Sequence, residues 1–395
     1  MKILAIETSC DETAVSVLDG RGELGRVQIE VLGDALLSQA ETHAAFGGVY
    51  PALAKREHEL NLVPLATEAL SKAGMLASRI DAYHADEDTV STVRGADFKA
   101  SVSTFVETYD RPDIELIAVT KGPGLEPALW TGITFAESLG KAWNIPVIGV
   151  DHMEGHMVSA LLRSSPDGSK ELHMYSLNTS ELPLLSLLIS GGHTELILMR
   201  RWFEFERVGA TKDDAVGEAF DKVARLLDLS YPGGPKIALL AEKARVRGGN
   251  TIVFPRPMAN DATCDFSFSG LKTAVLYKLR AMDEISETDK EHIAEAFEDA
   301  ARDVIVIKTR KALRETNPLT LAVGGGVSAN AEIRKNISEM VHREFPHVSL
   351  QFPDPALTGD NAIMIGAAAY MRKVTGAPLD EEMVANGNLK IHLKR

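Results

Sequence analysis

The chain has 395 residues, 45% hydrophobic and 25% charged, with 42 Lys and Arg against 56 Asp and Glu for a formal net charge of −14. That composition excludes wholesale disorder and supports a large core without covalent staples, and at roughly 150 residues per domain the length suggests two or three domains. Two cysteines, Cys10 and Cys264, exclude a disulfide framework or a four-cysteine zinc site, and the negative balance is the wrong sign for a protein that grips nucleic acid with its whole surface.

Lys2–Ile6 is apolar and β-prone; after the polar TSCDE comes a second such run, Thr13–Leu18, and then the turn Asp19-Gly20-Arg21-Gly22. The opening apolar run meets acids at once and is too short for a signal peptide, so the cytoplasm is the expected compartment. Ser78–Asp113 carries four basic residues against eight acids and few long apolar ones, and reads as an inserted, solvated excursion with one helix near Phe98–Tyr109. Glu115–Thr120 is a buried strand, KGPGLEP a glycine-rich turn, Ala128–Trp143 a helix and Pro146–Val150 the next strand. Ser164–Glu181 reads as a surface loop. Leu184–Ser190, Gly191–Thr194 and Glu195–Met199 then repeat the opening strand–polar turn–strand pattern. Thr320–Val323 runs into GGGVSAN and a helix over Ala331–Glu344; Thr358-Gly-Asp-Asn361 precedes an apolar helix, Ala362–Met371, and the chain after Gly376 reads as peripheral. Alternating strands and helices imply largely parallel sheets, and two similar openings imply a duplicated two-lobed α/β protein. No apolar run is long enough to cross a bilayer, so no membrane partner is expected.

The sharpest local signal is His152-Met-Glu-Gly-His156. Asp151 is a suitable N-cap, with Glu154 three residues on as in a capping box. On a helix His152 and His156 fall at i and i+4, one face, where two imidazoles can share a metal ion; a pair of cap and surface histidines is the plainer alternative. Zinc proteases place glutamate directly after the first histidine, whereas Glu154 comes one position later, a rotation of about 100° that turns it away from the required water. Gly122-Pro-Gly124 and Gly324-Gly-Gly326-Val-Ser328-Ala-Asn330 each follow a strand and precede a helix, where backbone amides can meet a phosphate or simply make a tight turn. Ser190–Thr194 and Tyr231-Pro-Gly233-Gly234-Pro235 are further small-residue turns. Asp213, Asp214, Glu218 and Asp221 mix two helix faces, the usual pattern of a solvated surface. Asp360 has the placement of an N-cap. No G-x-S-x-G elbow and no G-K-[ST] occur, so covalent catalysis is unsupported and a P-loop is excluded.

Taken in order, IETSCDET, GPGL, HMEGH, SGGHT, GEAFDK, YPGGP, FPRPM, DFSFSGLKT, AFEDA, GGGVSAN and TGDNA resemble the TsaD family, proteins that transfer a threonylcarbamoyl group to tRNA adenosine. The resemblance runs from Lys2 to about Arg372, and SGGHT in place of SGGNT is similar to the bacterial and mitochondrial branch. It implies the actin-like, sugar-kinase and heat-shock ATPase fold: an N-terminal lobe over 1–181, with 78–113 inserted and a closing helix at 360–373, a C-terminal lobe over 182–359 and a tail over 374–395. It implies one divalent metal, Fe2+ or Zn2+, on His152, His156 and Asp360. It places Leu188, Ile189, Ser190, Gly191, Gly192, Asp221, Gly234 and Asn330 around an adenylate, and Asp11 and Glu12 near the reacting carbonyl as candidate bases. The implied donor is threonylcarbamoyl-AMP, supplied by a TsaC-type enzyme, and the implied acceptor is tRNA. Implied protein partners are a TsaB-type paralogue and a TsaE-type ATPase, or a second copy of the chain. A small-molecule kinase or a nucleotide-gated scaffold are the alternatives on the same fold. The chain departs from the family pattern at Tyr50-Pro51-Ala52, where an acid usually follows the proline, and at Ala238. With a net charge of −14, tRNA contacts are expected from local clusters such as Lys308-Arg310-Lys311-Arg314 or Lys390-Lys394-Arg395, or from a partner.

Overall fold

A computed structural model describes residues 1–81, 84–85, 87–164, 173–177 and 182–391. Chain contacts divide it into two compact units: Met1–Ala40 with Val49–Ser180 and Gly359–Arg395, and Glu41–Gly48 with Glu181–Thr358.

The first unit is built on β1 (Lys2–Glu7), β2 (Glu12–Arg21), β3 (Val27–Ser38), β4 (Leu116–Gly122), β5 (Val147–Asp151), β6 (Leu162–Ser164) and β7 (His173–Leu177), in the order β5-β4-β1-β2-β3-β7-β6. β1, β2 and β3 pair antiparallel, and β1, β4 and β5 parallel. A short helix, α1 (Ala40–Ala44), follows β3. Leu4 and Ile6 point to one face of the sheet, where α2 (Pro51–Lys72), α3 (Ala96–Thr108) and α4 (Glu126–Trp143) contribute Leu62, Phe98, Phe105, Ile133 and Phe135 to a single core. Ile3 and Ala5 point to the other face, which explains why β1 is apolar without alternation. There α5 (His152–Ser159) and α11 (Ala362–Thr375) pack, and a Cβ on Gly366 would stand 2.3 Å from Leu18 and 3.1 Å from Ala5, so glycine sets how closely α11 approaches the sheet.

The second unit contains β8 (Leu184–Ile189), β9 (Thr194–Arg201), β10 (Glu204–Ala210), β11 (Thr320–Gly324) and β12 (Ser349–Gln351), ordered β10-β9-β8-β11-β12. β8, β9 and β10 pair antiparallel; β8, β11 and β12 pair parallel. Its core joins this sheet to α6 (Val216–Leu226), α7 (Gly233–Arg247), α8 (Ser269–Arg280), α9 (Glu287–Thr316) and α10 (Ala331–Glu344). Both sheets therefore share one central topology, third–second–first–fourth–fifth strand with the same pattern of directions. This is the duplicated α/β organisation of the actin-like fold.

Three expectations change. The 78–113 segment is not merely solvated: Val90, Val93, Phe98, Val102, Phe105 and Val106 are buried in the first core, because α3 aligns its apolar residues at helical spacing. Within 164–181, 173–177 is a strand paired with β3, while 165–172 and 178–181 lie outside the described residues. The chain after Gly376 returns to the sheet: Gly149 N donates to Asp380 O at 2.7 Å, Asn386 N to Lys121 O at 2.9 Å, and Gly124 N to Gly387 O at 3.2 Å. Lys121 also pairs with Asp380. Short polar and glycine-containing segments of this kind dock through backbone bonds, which hydrophobic patterning does not reveal.

Candidate functional site

α5 begins where β5 ends. Asp151 caps it by accepting from Met153 N at 2.9 Å, but the expected capping box with Glu154 does not form. The Glu154 carboxylate instead receives Arg372 of α11, with Nε to Oε2 at 2.7 Å and Nη2 to Oε1 at 2.5 Å. At the start of α11 the cap is Asn361, whose Oδ1 accepts from Met364 N at 2.9 Å. That leaves the Asp360 carboxylate to the histidines. Its Oδ1 lies 3.1 Å from His156 Nε2 and 3.4 Å from His152 Nε2, and one donor atom from each of the three residues lies within 4.8 Å of the others.

The far side of His152 is held just as tightly. Its Nδ1 is 3.2 Å from Glu7 Oε2 and 3.2 Å from Ser9 Oγ. Glu7 is oriented in turn by Ser9 N and Thr120 Oγ1, each donating at 2.5 Å. A carboxylate on Nδ1 directs the ring and leaves Nε2 toward Asp360, the arrangement that orients metal-binding histidines. Burial opposes the imidazolium, yet Asp360 and Glu7 outweigh it and raise His152 well above its ordinary value. Burial also works against the Asp360 carboxylate, but the two histidines hold it well below the usual range. The buried Glu7 and the half-buried Asp360 carboxylate thus demand positive charge between them. Protons on His152 supply it in the protein alone, and a divalent cation on two imidazole nitrogens and one carboxylate oxygen would supply it better. The donor set fits iron or zinc.

Asp11 lies on the loop into β2 and Glu12 opens the strand. Burial, then the charges of Asp360 and Asp11, push the Glu12 carboxyl up to about 10, so in the metal-free protein it keeps its proton at neutral pH. A cation beside Asp360 opposes that shift. The loop is braced from α2: His58 Nε2 is 3.1 Å from the Cys10 carbonyl and His58 Nδ1 is 2.7 Å from Thr13 Oγ1. A carbonyl only accepts, so Nε2 carries the proton that it donates.

The second unit presents backbone rather than charge. Ser190 N donates to His193 O at 2.9 Å and His193 N donates to Ser190 Oγ at 3.1 Å, closing the turn after β8. Gly217 N, in the first turn of α6, donates to Ser190 O at 3.2 Å. A Cβ on Gly217 would stand 2.5 Å from Ser190 O, and one on Gly325, at φ +88°, 2.5 Å from Ile189 O. These turns close to a distance only glycine permits. Gly191, Gly192, Gly234 and Gly326, by contrast, have nothing within 4 Å of where a side chain would begin. Leu188 and Ile189 are wholly buried and offer only backbone. Asp221, one turn along α6, accepts from Gly233 N at 2.7 Å. Asn330 caps α10 by accepting from Ile333 N at 2.9 Å, and its amide donates to Glu298 at 2.6 Å. The carboxyl ends of the adjacent strands β8 and β11, the start of α6 and the start of α7 thus meet at one end of the sheet.

The family model for TsaD, described as tRNA N6-adenosine threonylcarbamoyltransferase, matches residues 30–83 and 108–367. The chain belongs to the TsaD family. The model leaves 1–29, 84–107 and 368–395 unmatched, and 84–107 falls inside the segment read as an insertion. Among solved structures, the chain is similar to HypF from T. kodakarensis at 15% identity and a TM-score of 0.46, over 66% of this chain and 41% of that one, so it spans well under half of HypF. It is similar to a ROK hexokinase from Thermus thermophilus at 14% and 0.42, over 94% and 97%. It is also similar to the activator of 2-hydroxyisocaproyl-CoA dehydratase from Clostridium difficile, with bound ADPNP, at 11% and 0.46, over 95% and 97%.

For this TsaD-family chain one surface expectation is corrected, at Lys308. Lys308 is wholly buried and donates to Asp261 at 2.6 Å, while Arg310 and Arg314 share Glu344 and Lys311 pairs with Glu315. Lys308 is thereby withdrawn from the surface, while Arg310, Lys311 and Arg314 remain at it beside acids of their own unit. In the other cluster, Lys394 and Arg395 lie outside the described residues. The acidic stretch at the start of α6 stays on the surface at Asp213 and Glu218, as expected, while Asp213 accepts from Ser267 Oγ, Ser269 Oγ and the backbone of Phe268, and Asp214 pairs with Lys222. The residues missed from sequence are Glu7, Ser9, Thr120, His58 and Arg372. The only trace of them was Glu7 and Ser9 lying within IETSCDET.

No helix among the described residues is long and apolar enough to cross a membrane.

Proposed function

We propose that this chain transfers the threonylcarbamoyl group of threonylcarbamoyl-AMP to N6 of the adenosine beside the anticodon of tRNAs that read codons beginning with A, releasing AMP. The observation that carries the reading is the convergence of His152, His156 and Asp360 in a chain whose family is TsaD. His152, His156 and Asp360 hold one divalent ion, Fe2+ or Zn2+, and such an ion supplies Lewis-acid polarisation of carbonyl or phosphate oxygens. Glu7, through His152, keeps that ligand oriented. The amides of Ser190, Gly191 and Gly192, with the Gly324–Gly326 turn, receive the adenylate, where open glycines let a nucleotide come close. Leu188 and Ile189 contribute backbone there, and Asp221 and Asn330 hold the helix starts that frame Gly234 and the adenylate. Glu12, which feels the Asp360 charge, and its neighbour Asp11 handle the proton of the attacking amine.

A TsaC-type enzyme supplies the donor, and a TsaB-type paralogue with a TsaE-type ATPase, or a second copy of this chain, completes the active assembly. With a charge of −14 and the basic residues of α9 neutralised, tRNA capture falls to those partners. The test supplies labelled threonine, ATP, bicarbonate, the donor-forming enzyme and unmodified tRNA. Label in tRNA that depends on this chain and vanishes with His156→Ala supports the proposal. ATP hydrolysis without label in tRNA points to a kinase or ATPase instead, and nucleotide binding without either points to a scaffold.

A further inference from the structure

HMEGH contains more than two ligands. His152 and His156 face Asp360, but Glu154 and Gly155 lie between them and read onto the body of α11. A Cβ on Gly155 would stand 3.0 Å from Met364 and 3.1 Å from Ile365, so glycine brings α5 close against α11. Glu154, 1% exposed, is gripped by Arg372, 6% exposed, through two parallel N–H bonds. The third guanidinium nitrogen of Arg372 donates to Pro378 O at 2.7 Å, tying the returning C-terminal segment to the same point.

Each helix of this pair carries or follows part of the metal-binding set. A bidentate guanidinium–carboxylate pair is planar and directional, so it fixes both spacing and rotation. Burying two charges is a poor way to gain stability, since a well-packed apolar pair serves as well or better. We propose that Glu154 and Arg372 are positioning residues that set the distance and rotation of α5 against α11, and thereby the convergence of His152, His156 and Asp360. This rests on the metal-binding reading of those three residues, and extends it.

The test uses the full-length chain, stripped by chelator and titrated with Co2+ alone, with visible absorption reporting the ligand field and calorimetry the melting of the apo protein. Glu154→Gln and Arg372→Lys are expected to weaken Co2+ binding about ten- to a hundredfold, the usual range for residues that orient metal ligands. Glu154→Gln leaves the buried Arg372 charge unpaired and Arg372→Lys loses the planar fork, so both also lose stability, and the decisive protein is the double variant Glu154→Leu/Arg372→Met. Its apo melting temperature is expected to return to near the parent value while Co2+ binding stays weak and its spectrum stays altered. A double variant that melts like the parent and binds Co2+ with the parent affinity and spectrum overturns the proposal. His156→Ala separates the two levels. If it loses Co2+ while the Glu154 and Arg372 variants do not, only the positioning role falls; if it binds Co2+ like the parent, the metal-binding reading falls with it.

Discussion

The two units build their candidate sites in opposite ways. The first gathers long, charged side chains, and each is held by another: Glu7 and Ser9 on His152, Thr120 on Glu7, Arg372 on Glu154. The second uses side chains only to brace turns and helix starts, at Ser190, Asp221 and Asn330, and closes backbone turns against one another at Gly217 and Gly325, leaving Gly191, Gly192, Gly234 and Gly326 open. The lesson concerns what can be changed. A side-chain site depends on what its residues are, so deletion destroys it. A backbone site depends on what its residues lack, so addition destroys it.

The largest effect is expected from deletion in the first unit. His156→Ala should reduce transfer about a thousandfold or more, as loss of several kcal/mol of charge stabilisation requires, with stoichiometric metal lost from the purified protein. Full transfer by a metal-free His156→Ala chain sinks the reading. Next come additions in the second unit, where two kinds of glycine should separate. Gly325→Ala puts a methyl against Ile189 O at a positive φ and should lower stability by about 1–3 kcal/mol, read as a fall in the denaturant midpoint. Gly191→Ala meets no protein atom, so its melting temperature should stay within about 1 °C while KM for the donor rises. Equal destabilisation by both would erase the distinction between structural and ligand-facing glycines.

A smaller effect is expected at the brace behind Asp11 and Glu12. His58→Ala removes the donor to the Cys10 carbonyl and the ring nitrogen that bonds Thr13 Oγ1, and should cost about 1–3 kcal/mol, with kcat falling more than KM changes. The smallest is a pH effect in the second unit. The hydrogen bond from Lys308 holds Asp261 at about 2, below the roughly 3.9 of an unfolded aspartate. A lowered carboxylate contributes stability above pH 4 that disappears as pH falls toward 2. The urea midpoint should therefore drop across that window, and Asp261→Asn should flatten part of the drop. An unchanged slope in Asp261→Asn assigns the acid loss to other carboxylates.

Much of this was legible in the chain. β1, β8 and β11 are apolar runs that can only be buried strands, and α4 and α10 announce themselves by length and flanking glycines. The i, i+4 spacing of His152 and His156 put both rings on one face before any coordinates were known. α3 was half-read: its place near Phe98 was visible, but its four buried residues were masked by the acids around them. Asp360 could not be told from an N-cap, since Asp and Asn both cap helices and stand side by side at 360 and 361; only the bond from Met364 N to Asn361 assigns the roles.

Local order was thus decided by the sequence itself, because strand burial, helix periodicity and turn chemistry depend on neighbours a few residues away. Pairings between charges far apart in the chain were decided by tertiary structure alone. Glu154 meets Arg372 218 residues later, His152 meets Glu7 145 residues earlier, and Lys308 vanishes from the surface to meet Asp261. Charge has no periodicity, and a lysine or glutamate reads the same whether solvated or buried. Only the packing of elements reveals which charges are spent on one another and which remain for a ligand.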